Sequence, residues 1–297
     1  MIILAILCCC LSILSIYLFC LGGRTGHKDL HKLCGWKYAH RGLHNAERPE
    51  NSMAAFRAAL EHGYGIELDI HLMKDGNLAV IHDSTLKRVA GADVNIEDLT
   101  LEDLPNYTLG NSMEQIPLFS QVLELYRGKA PLIVELKCVG NNHAALCEAA
   151  LEMLDRYEGL FCMESFDPRV TRWLRKNRPD IIRGQLSENW MKSSLKLPWV
   201  LKYVMTYHIS NIYTRPDFIA YKYADRKAFG TEICRKFWGI QGVSWTLKTP
   251  QEYETAVEEG WIPFLKALNP NTKDTSDRRC LLFVYQKNRR GRGGNNE

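Results

Sequence analysis

Short apolar runs alternate with amphipathic helical patterns along most of the chain, and this alternation restricts the possible folds more than any other feature. The apolar runs are predicted strands at residues 36–39, 65–70, 78–81, 131–136, 160–165, 181–186, 218–221 and 242–247. The predicted helices between them cover residues 52–62, 118–126, 143–156, 168–177 and 250–259. Strands that alternate with helices are typical of repeated βα units around a parallel sheet.

The size and composition of the chain fit a globular α/β protein. Its 297 residues suit either one α/β barrel of roughly 250 residues with short extensions or two ordinary domains. The formal net charge is only +4, and part of it comes from a basic tail, so we predict no nucleic-acid binding. The cysteines outside the N-terminus show no CxxC or zinc-type spacing, which favours a reducing compartment.

The first 21 residues contain no charged side chain. As a helix, this segment is long enough to cross roughly 30 Å of hydrocarbon. A cleaved signal peptide is the alternative, but the charged n-region is missing and no A-x-A-like site follows. We therefore predict a single-pass transmembrane anchor at residues 1–22 and a basic juxtamembrane linker at 23–35. The basic residues Arg24, Lys28, Lys32 and Lys37 follow the anchor, so the positive-inside rule predicts that the domain after the anchor lies on the cytoplasmic side.

Carboxylates occur within two of the predicted strands. Glu67 and Asp69 are two residues apart, so both side chains point to the same face of the sheet. Glu135 lies in another apolar strand, and Lys137 shares its face. Buried carboxylates are costly unless a cation neutralises them, and hard oxygen ligands suit Mg²⁺ or Ca²⁺. The pattern therefore predicts a divalent metal site beside an anionic substrate.

No single element of this pattern identifies a site, because an isolated Glu-x-Asp pair is more often a solvated strand end than a metal site. The prediction depends on co-occurrence. Two histidines, three acids, one Arg and one Lys all fall at predicted carboxyl ends of strands, which is where the active sites of α/β barrels are built.

In their order along the chain, these motifs resemble those of the glycerophosphodiester phosphodiesterase family. The matching blocks are His40-Arg41-Gly42, Pro49-Glu50-Asn51-Ser52, Glu67-Leu68-Asp69, Asp75-Gly76, His82-Asp83 and Glu135-Leu136-Lys137, with weaker matches at Ser165-Phe166-Asp167 and Trp245-Thr246. Ser52 stands where the family has Thr. The resemblance implies an α/β fold, a TIM-type (β/α)₈ barrel at residues 36–268, preceded by the single transmembrane helix.

The resemblance also implies roles for individual residues. These are metal ligation by Glu67, Asp69 and Glu135, acid–base catalysis by His40 and His82, phosphate binding by Arg41 and Lys137, and pocket lining by Glu50 and Trp245. The implied reaction is the hydrolysis of a small glycerophosphodiester to glycerol 3-phosphate and an alcohol, with Mg²⁺ or Ca²⁺ as the cofactor. The sequence leaves open whether water or the neighbouring glycerol hydroxyl is the nucleophile, and whether Trp245 stacks on the glycerol end or only packs.

Two alternative functions remain open at this point. The first is a lysophospholipase D-like phosphodiesterase that acts on lysophospholipids in the bilayer, which the membrane anchor and the apolar aromatic stretch 197–207 would suit. The interpretation that we favour for this stretch is an ordinary buried helix. The second is a catalytically inactive, membrane-bound binding barrel. The presence of both histidines and all three acids disfavours the second alternative.

The end of the chain departs from the family pattern. After Gly260, the apolar run at 261–266 is short and residues 269–277 have the composition of a loop. The sequence therefore predicts a last βα unit that is atypical or truncated, with incomplete closure of the barrel, and an atypical tail at residues 269–297.

Overall fold

Eight parallel strands form a closed barrel in a computed structural model of the chain, which describes residues 1–265. With β3, an antiparallel strand outside the barrel, the described residues form nine strands, which are β1 (Tyr38–His40), β2 (Gly65–Leu72), β3 (Leu78–Val80), β4 (Leu132–Leu136), β5 (Phe161–Ser165), β6 (Arg183–Ser187), β7 (Phe218–Lys222), β8 (Gln241–Leu247) and β9 (Trp261–Leu265). The α-helices are α1 (Ile2–Cys20), α2 (Met53–Glu61), α3 (Lys87–Ala90), α4 (Phe119–Tyr126), α5 (His143–Leu154), α6 (Pro168–Asn177), α7 (Trp199–Thr206), α8 (Asn211–Thr214), α9 (Phe229–Glu232) and α10 (Pro250–Glu258). The predicted α/β barrel is confirmed.

The barrel closes because β1 pairs in parallel with both β2 and β9. The complete order of the sheet is β1-β9-β8-β7-β6-β5-β4-β2-β3. The predicted strand at 78–81 exists, but it is not a barrel strand. It forms β3, which runs antiparallel to β2 after a turn at Asp75-Gly76, where Gly76 adopts a φ of +87°. Apolar periodicity alone does not distinguish a hairpin partner from a barrel strand.

The expectation of incomplete barrel closure is wrong, while any helix of the last βα unit falls outside the described residues. All five residues of β9 are buried, and β9 pairs with β8 on one side and β1 on the other. The ring of Phe264 lies 5.9 Å from that of Tyr38 on β1. The run was hard to recognise because it is short and contains Pro263, which disfavours a central strand. The predicted tail and the last residues of the predicted barrel domain lie outside the described residues.

The barrel interior changes from apolar to polar along the strand direction. At the amino-terminal ends, Tyr38, Ile133, Cys162 and Phe218 form one apolar cluster, and Leu33 packs into it from the preceding turn. Two residues further along β4 and β5, the inward positions are acidic instead. The polar site therefore lies in the carboxyl-terminal half of the barrel, above an apolar floor.

The N-terminal helix α1 is exposed over most of its length and is joined to the barrel at its end. It has a mean hydropathy of 2.8, so by length and composition it can either span a membrane or serve as a signal sequence. Residues 23–35, the predicted linker, contact the barrel, since the guanidinium of Arg24 pairs with Asp217. Leu21 is fully buried against Ile219 and Ile240.

Closure of the barrel by β9 can be tested by removing apolar volume from that strand. Ile262 is 3% exposed and lies opposite Val243 in β8. We expect Ile262→Ala to lower the free energy of unfolding by about 2–5 kcal/mol, because it leaves a cavity in the barrel interior. Leu101→Ala is the control, since Leu101 is 47% exposed. Equal melting temperatures for the two variants would show that β9 does not close the barrel.

Candidate active site

The predicted chemical residues converge at the carboxyl ends of three neighbouring strands. His40 ends β1, Glu67 and Asp69 lie on β2, and Glu135 lies on β4 with Lys137 just beyond it. The parallel register places His40 beside Glu67 and Asp69 beside Glu135. Since inward side chains of adjacent strands point into the same interior, these groups meet in one polar layer.

Glu67, Asp69 and Glu135 form a compact carboxylate cluster. One oxygen from each residue lies within 4.8 Å of the others, and all three side chains are buried. Burial and the neighbouring charges of Asp69 and Glu135 raise the pKa of Glu67 well above its ordinary value. Burial likewise raises the pKa of Glu135 to about 7, although Lys137 opposes this shift. The cluster thus holds more carboxylates than its protein cations can neutralise, as expected of a site for a divalent ion.

Asp69 is the member of the cluster that ionises most readily. Burial opposes its ionisation, but the charges of Lys137, His82 and Arg41 outweigh burial and hold its pKa well below the usual range. The Lys137 Nζ atom lies 2.9 Å from Asp69 Oδ1 and 2.6 Å from Glu135 Oε1. On the other side, Asn51 donates a 2.8 Å hydrogen bond from Nδ2 to Asp69 Oδ2. These contacts fix the carboxylate at the centre of the site.

Arg41 enters the site through a tight turn after β1. Arg41 and Gly42 both adopt left-handed backbone conformations, with φ of 56° and 79°. A Cβ on Gly42 would lie 2.9 Å from the Cβ of Ala55, so the close approach of α2 requires glycine. The turn places the Arg41 Nε atom 3.3 Å from Asp69 Oδ2 and Nη1 2.9 Å from Glu50 Oε1.

The two predicted histidines lie in different surroundings. His40 has its Nε2 atom 3.8 Å from Glu67 Oε2 and 3.5 Å from Thr246 Oγ1. Burial and the nearby charge of Arg41 lower the pKa of His40 well below its ordinary value, so the ring is neutral near pH 7. His82 follows the β2–β3 hairpin, and its Nδ1 atom lies 2.6 Å from Asp83 Oδ1. Burial also lowers the pKa of His82, but Asp69 and Asp83 oppose that shift.

A fourth carboxylate, Glu164, was missed by the sequence analysis. It lies on β5 opposite Glu135, and neither of its buried oxygens has a hydrogen-bond partner within residues 1–265. Burial and the charge of Glu67 raise its pKa well above the ordinary value. An acid within the apolar strand Phe161–Ser165 is the same signal that identified Glu135, so this residue could have been found.

Arg88 was also missed, because it comes from the long connection between β3 and α4. Its Nη2 atom lies 2.6 Å from Glu50 Oε1 and its Nε atom 2.5 Å from Asp83 Oδ2. Arg88 therefore contacts both Glu50, which pairs with Arg41, and Asp83, which pairs with His82. No local motif indicates this role, which depends on how residues 84–117 fold back over the site.

The site opens into a cavity of about 470 Å³. Its lining comprises the polar residues His40, Arg41, Glu67, His82, Glu135, Lys137, Glu164 and Glu188, and the apolar residues Phe166, Leu186, Trp190, Trp245 and Phe264. Of the predicted residues, Asp69 and Glu50 lie behind this lining and contact Arg41. Trp245 packs edge-on against Phe166 at 5.6 Å, while its Nε1 atom has no hydrogen-bond partner among the described residues. The cavity therefore has a charged half and an aromatic half.

The barrel carries clustered carboxylates, two histidines and two cations at its strand ends. These are the components of a metal-dependent hydrolase of phosphate esters. The chain belongs to the glycerophosphoryl diester phosphodiesterase family, whose family model matches residues 40–260. The predicted family is thereby confirmed. Members of this family depend on a divalent metal ion, and the crowded carboxylate cluster fits that requirement.

Individual relatives agree with this assignment. Over 235 residues the chain is 29% identical to a glycerophosphodiester phosphodiesterase of Caldanaerobacter subterraneus, a match that covers 75% of this chain and 89% of the relative. It is 37% identical over 132 residues to lysophospholipase D GDPD1 of Homo sapiens, a match that covers 40% of each protein. A phosphodiesterase of Oleispira antarctica, solved with the product sn-glycerol-3-phosphate, has a TM-score of 0.66 at 19% identity over 80% of this chain and 94% of that chain. This structural similarity shows a common barrel fold.

Ion binding by the carboxylate cluster can be measured without any substrate. We expect added Mg²⁺ or Ca²⁺ to raise the melting temperature of the chelator-treated protein, because a ligand that binds only the folded state stabilises it. The free energy of unfolding should rise by about 2.7 kcal/mol when the free ion is at roughly 100 times its Kd. Glu67→Gln should reduce this gain. Glu61→Gln, at an exposed position on α2, should retain it. A gain that is equal in both variants would rule out Glu67 as a ligand.

Proposed function

We propose that this chain hydrolyses glycerophosphodiesters to glycerol 3-phosphate and an alcohol in a reaction that requires Mg²⁺ or Ca²⁺. The observation that carries the proposal is that two histidines, two cations, Glu67 and Glu135 line one cavity of this family's barrel, with the buried Asp69 directly behind them. Glu67, Asp69 and Glu135 would hold the ion, which when bound supplies positive charge to the phosphate oxygens. Glu164 lies beside this set and faces the same cavity.

Arg41 and Lys137 bind the phosphate in this proposal. Both line the cavity, and both are fixed by contacts with Asp69. Cations held in place before the reaction stabilise charge that develops on the non-bridging oxygens without further rearrangement. Glu50 acts indirectly, because it accepts a hydrogen bond from Arg41 and orients the guanidinium.

The two histidines divide the proton transfers. His40 is neutral near pH 7 and can accept a proton from the nucleophile, which is either water or the neighbouring glycerol hydroxyl. Burial lowers the pKa of His82, but its pairing with Asp83 opposes this shift, and a bound phosphodiester would add negative charge that favours the imidazolium form. His82 is therefore the proposed donor to the leaving oxygen.

A second candidate function is hydrolysis of lysophospholipids. The aromatic half of the cavity, formed by Phe166, Trp190, Trp245 and Phe264, offers an apolar surface beside the phosphate site. A relative named lysophospholipase D matches part of the chain at 37% identity. The acyl chain of a lysophospholipid, which is attached to the glycerol, would pack against this apolar surface and displace water from it.

One assay distinguishes these functions from an inactive binding barrel. The full-length protein is purified in detergent and incubated with glycerophosphocholine, glycerophosphoethanolamine or lysophosphatidylcholine, with and without chelator. We expect turnover of at least one substrate that stops with chelator and returns with added ion. Absence of turnover with all three would contradict the proposed activity.

We further propose that α1 remains uncleaved as a single-pass anchor, with the barrel on the cytoplasmic side. The support is the apolar, exposed α1 and the basic residues that follow it. Intact cells treated with protease on their outer face should retain the full-length protein. Cleavage within the barrel under these conditions would place it on the opposite side.

The two histidines should respond differently to a better leaving group. General acid–base catalysis contributes about 10²–10⁴-fold, so His40→Ala and His82→Ala should each lower kcat by that order with an ordinary glycerophosphodiester. A p-nitrophenyl phosphodiester needs little protonation of its leaving group, so His82→Ala should recover most of its rate while His40→Ala should not. Equal recovery of both variants, with ion binding intact, would contradict separate acid and base roles.

A further inference from the structure

Helix α7, in the connection between β6 and β7, has a largely exposed apolar face, so the prediction of a buried helix at 197–207 is wrong. Trp199, Val200 and Tyr203 are 71%, 53% and 43% exposed, and Leu201 is exposed beside them. Leu195 and Leu197, in the preceding turn, are exposed as well. Single exposed apolar residues are ordinary, but a contiguous patch marks a surface that contacts a partner or a membrane.

The charged side chains of the segment that carries this apolar face are all positive. Residues 189–210 contain Lys192, Lys196 and Lys202 and no acidic residue. Lys192 pairs with Asp225, and Lys202 donates a 2.7 Å hydrogen bond to the carbonyl oxygen of Ser193, so both are held at the edge of the helix. Exposed tryptophan and leucine flanked by lysines are typical of a helix that lies in the interface of a bilayer.

The connection that carries α7 ends against the last turn of α1. Helix α8 follows α7 in this connection and packs on α1, and its Asn211 donates a 3.2 Å hydrogen bond from Nδ2 to the carbonyl oxygen of Leu21. On another side, Trp238 donates a 2.9 Å hydrogen bond from Nε1 to the carbonyl oxygen of Leu18. We call Tyr17, Phe19, Phe237 and Trp238 the aromatic collar of α1. Aromatic rings at this position are typical of the level at which a spanning helix leaves the hydrocarbon.

The barrel is firmly attached to α1 at this collar. Leu21 is buried among Ile219, Cys234 and Ile240, and Arg215 donates hydrogen bonds from Nη1 to the carbonyl oxygens of Phe19 (3.0 Å) and Gly22 (2.9 Å). The guanidinium of Arg215 also lies 4.6 Å from the ring centroid of Phe19. A barrel fixed in this way presents a defined side to any membrane that α1 crosses, and the β6–β7 connection, which carries α7 and α8, reaches α1 on that side.

The apolar face of α7 is also coupled to the cavity wall. The connection that carries α7 begins at Glu188 and Trp190, which both line the cavity. Helix α7 packs directly on the turn Trp190–Lys192. The Trp190 Nε1 atom donates a 3.2 Å hydrogen bond to Ser187 Oγ, which holds the ring in the aromatic half of the cavity.

We propose that the exposed face of α7 inserts into the interfacial layer of the lipid bilayer beside α1, and thereby turns the aromatic wall of the cavity toward the membrane. This inference rests on the proposed role of α1 as an anchor. It assigns to residues 189–207 a role in the delivery of membrane-held amphiphiles to the site, whereas soluble glycerophosphodiesters reach the site without it.

Insertion of α7 can be measured without any activity. The full-length protein is reconstituted into phosphatidylcholine vesicles whose acyl chains carry bromine, which quenches nearby tryptophans. We expect brominated lipid to quench a smaller part of the tryptophan fluorescence in Trp199→Phe than in the wild-type protein. Trp36→Phe is the control, because Trp36 precedes β1, which lies across the barrel from β6. An unchanged quenched fraction in Trp199→Phe would overturn the proposal, and flotation of the protein with the vesicles tests the α1 anchor separately.

The consequence for substrate delivery needs a second comparison. Turnover of lysophosphatidylcholine in vesicles should fall several-fold in the double variant Trp199→Glu/Val200→Glu, while turnover of soluble glycerophosphocholine should not change. Met113→Glu, at a 92% exposed position in the 84–117 connection, should affect neither. Equal loss with both substrates would overturn the role in delivery. A wild-type oligomer that the double variant dissociates would also overturn the proposal, because α7 would then join two copies of the chain.

Turnover of neither substrate by the wild-type protein would count against the proposed function alone. In that case the quenching comparison still decides whether α7 enters the bilayer.

Discussion

The cost of holding several carboxylates inside a barrel is the constraint on which the rest of this structure depends. Glu67, Asp69 and Glu135 approach within 4.8 Å of one another where little water reaches them, and Glu164 adjoins them. Lys137 and Arg41 supply compensating charge on two sides of Asp69, but the raised pKa of Glu67 shows that this charge is insufficient without a further cation. Affinity for a divalent ion follows from the same imbalance.

The fold makes this costly arrangement possible by separating it from the apolar core. The inward positions of the strands are apolar at the amino-terminal ends and acidic at the carboxyl ends, so the charged layer rests on a packed floor that includes Tyr38 and Phe218. The left-handed turn at Arg41 and the hydrogen bond from Asn51 then direct partners toward Asp69. Beyond this layer, the aromatic wall at Trp190 connects the charged site to the exposed face of α7.

Sequence reasoning predicted the parts of this structure that local patterns encode. The alternation of strands and helices indicated the parallel sheet, and period-two spacing placed Glu67 and Asp69 on one face. The same reasoning failed where long-range packing decides the outcome. The strand β9 forms despite Pro263 because β8 and β1 both pair with it. Arg88 reaches Glu50 only through the folded connection, and the hydrogen bond from Asn211 to the carbonyl oxygen of Leu21 joins the end of the β6–β7 connection to the end of α1.

The most direct test of this account is a titration that follows ion occupancy and turnover in the same sample. The full-length protein is stripped of metal, Mn²⁺ is added back in steps, and bound ion is counted by electron paramagnetic resonance while hydrolysis of a glycerophosphodiester is measured. Turnover should rise in proportion to the bound ion and reach its maximum when the carboxylate cluster is fully occupied. Glu67→Gln should shift the binding curve and the turnover curve to higher Mn²⁺ concentration together. Full turnover in the stripped protein, or turnover that does not follow occupancy, would contradict the central role of the cluster.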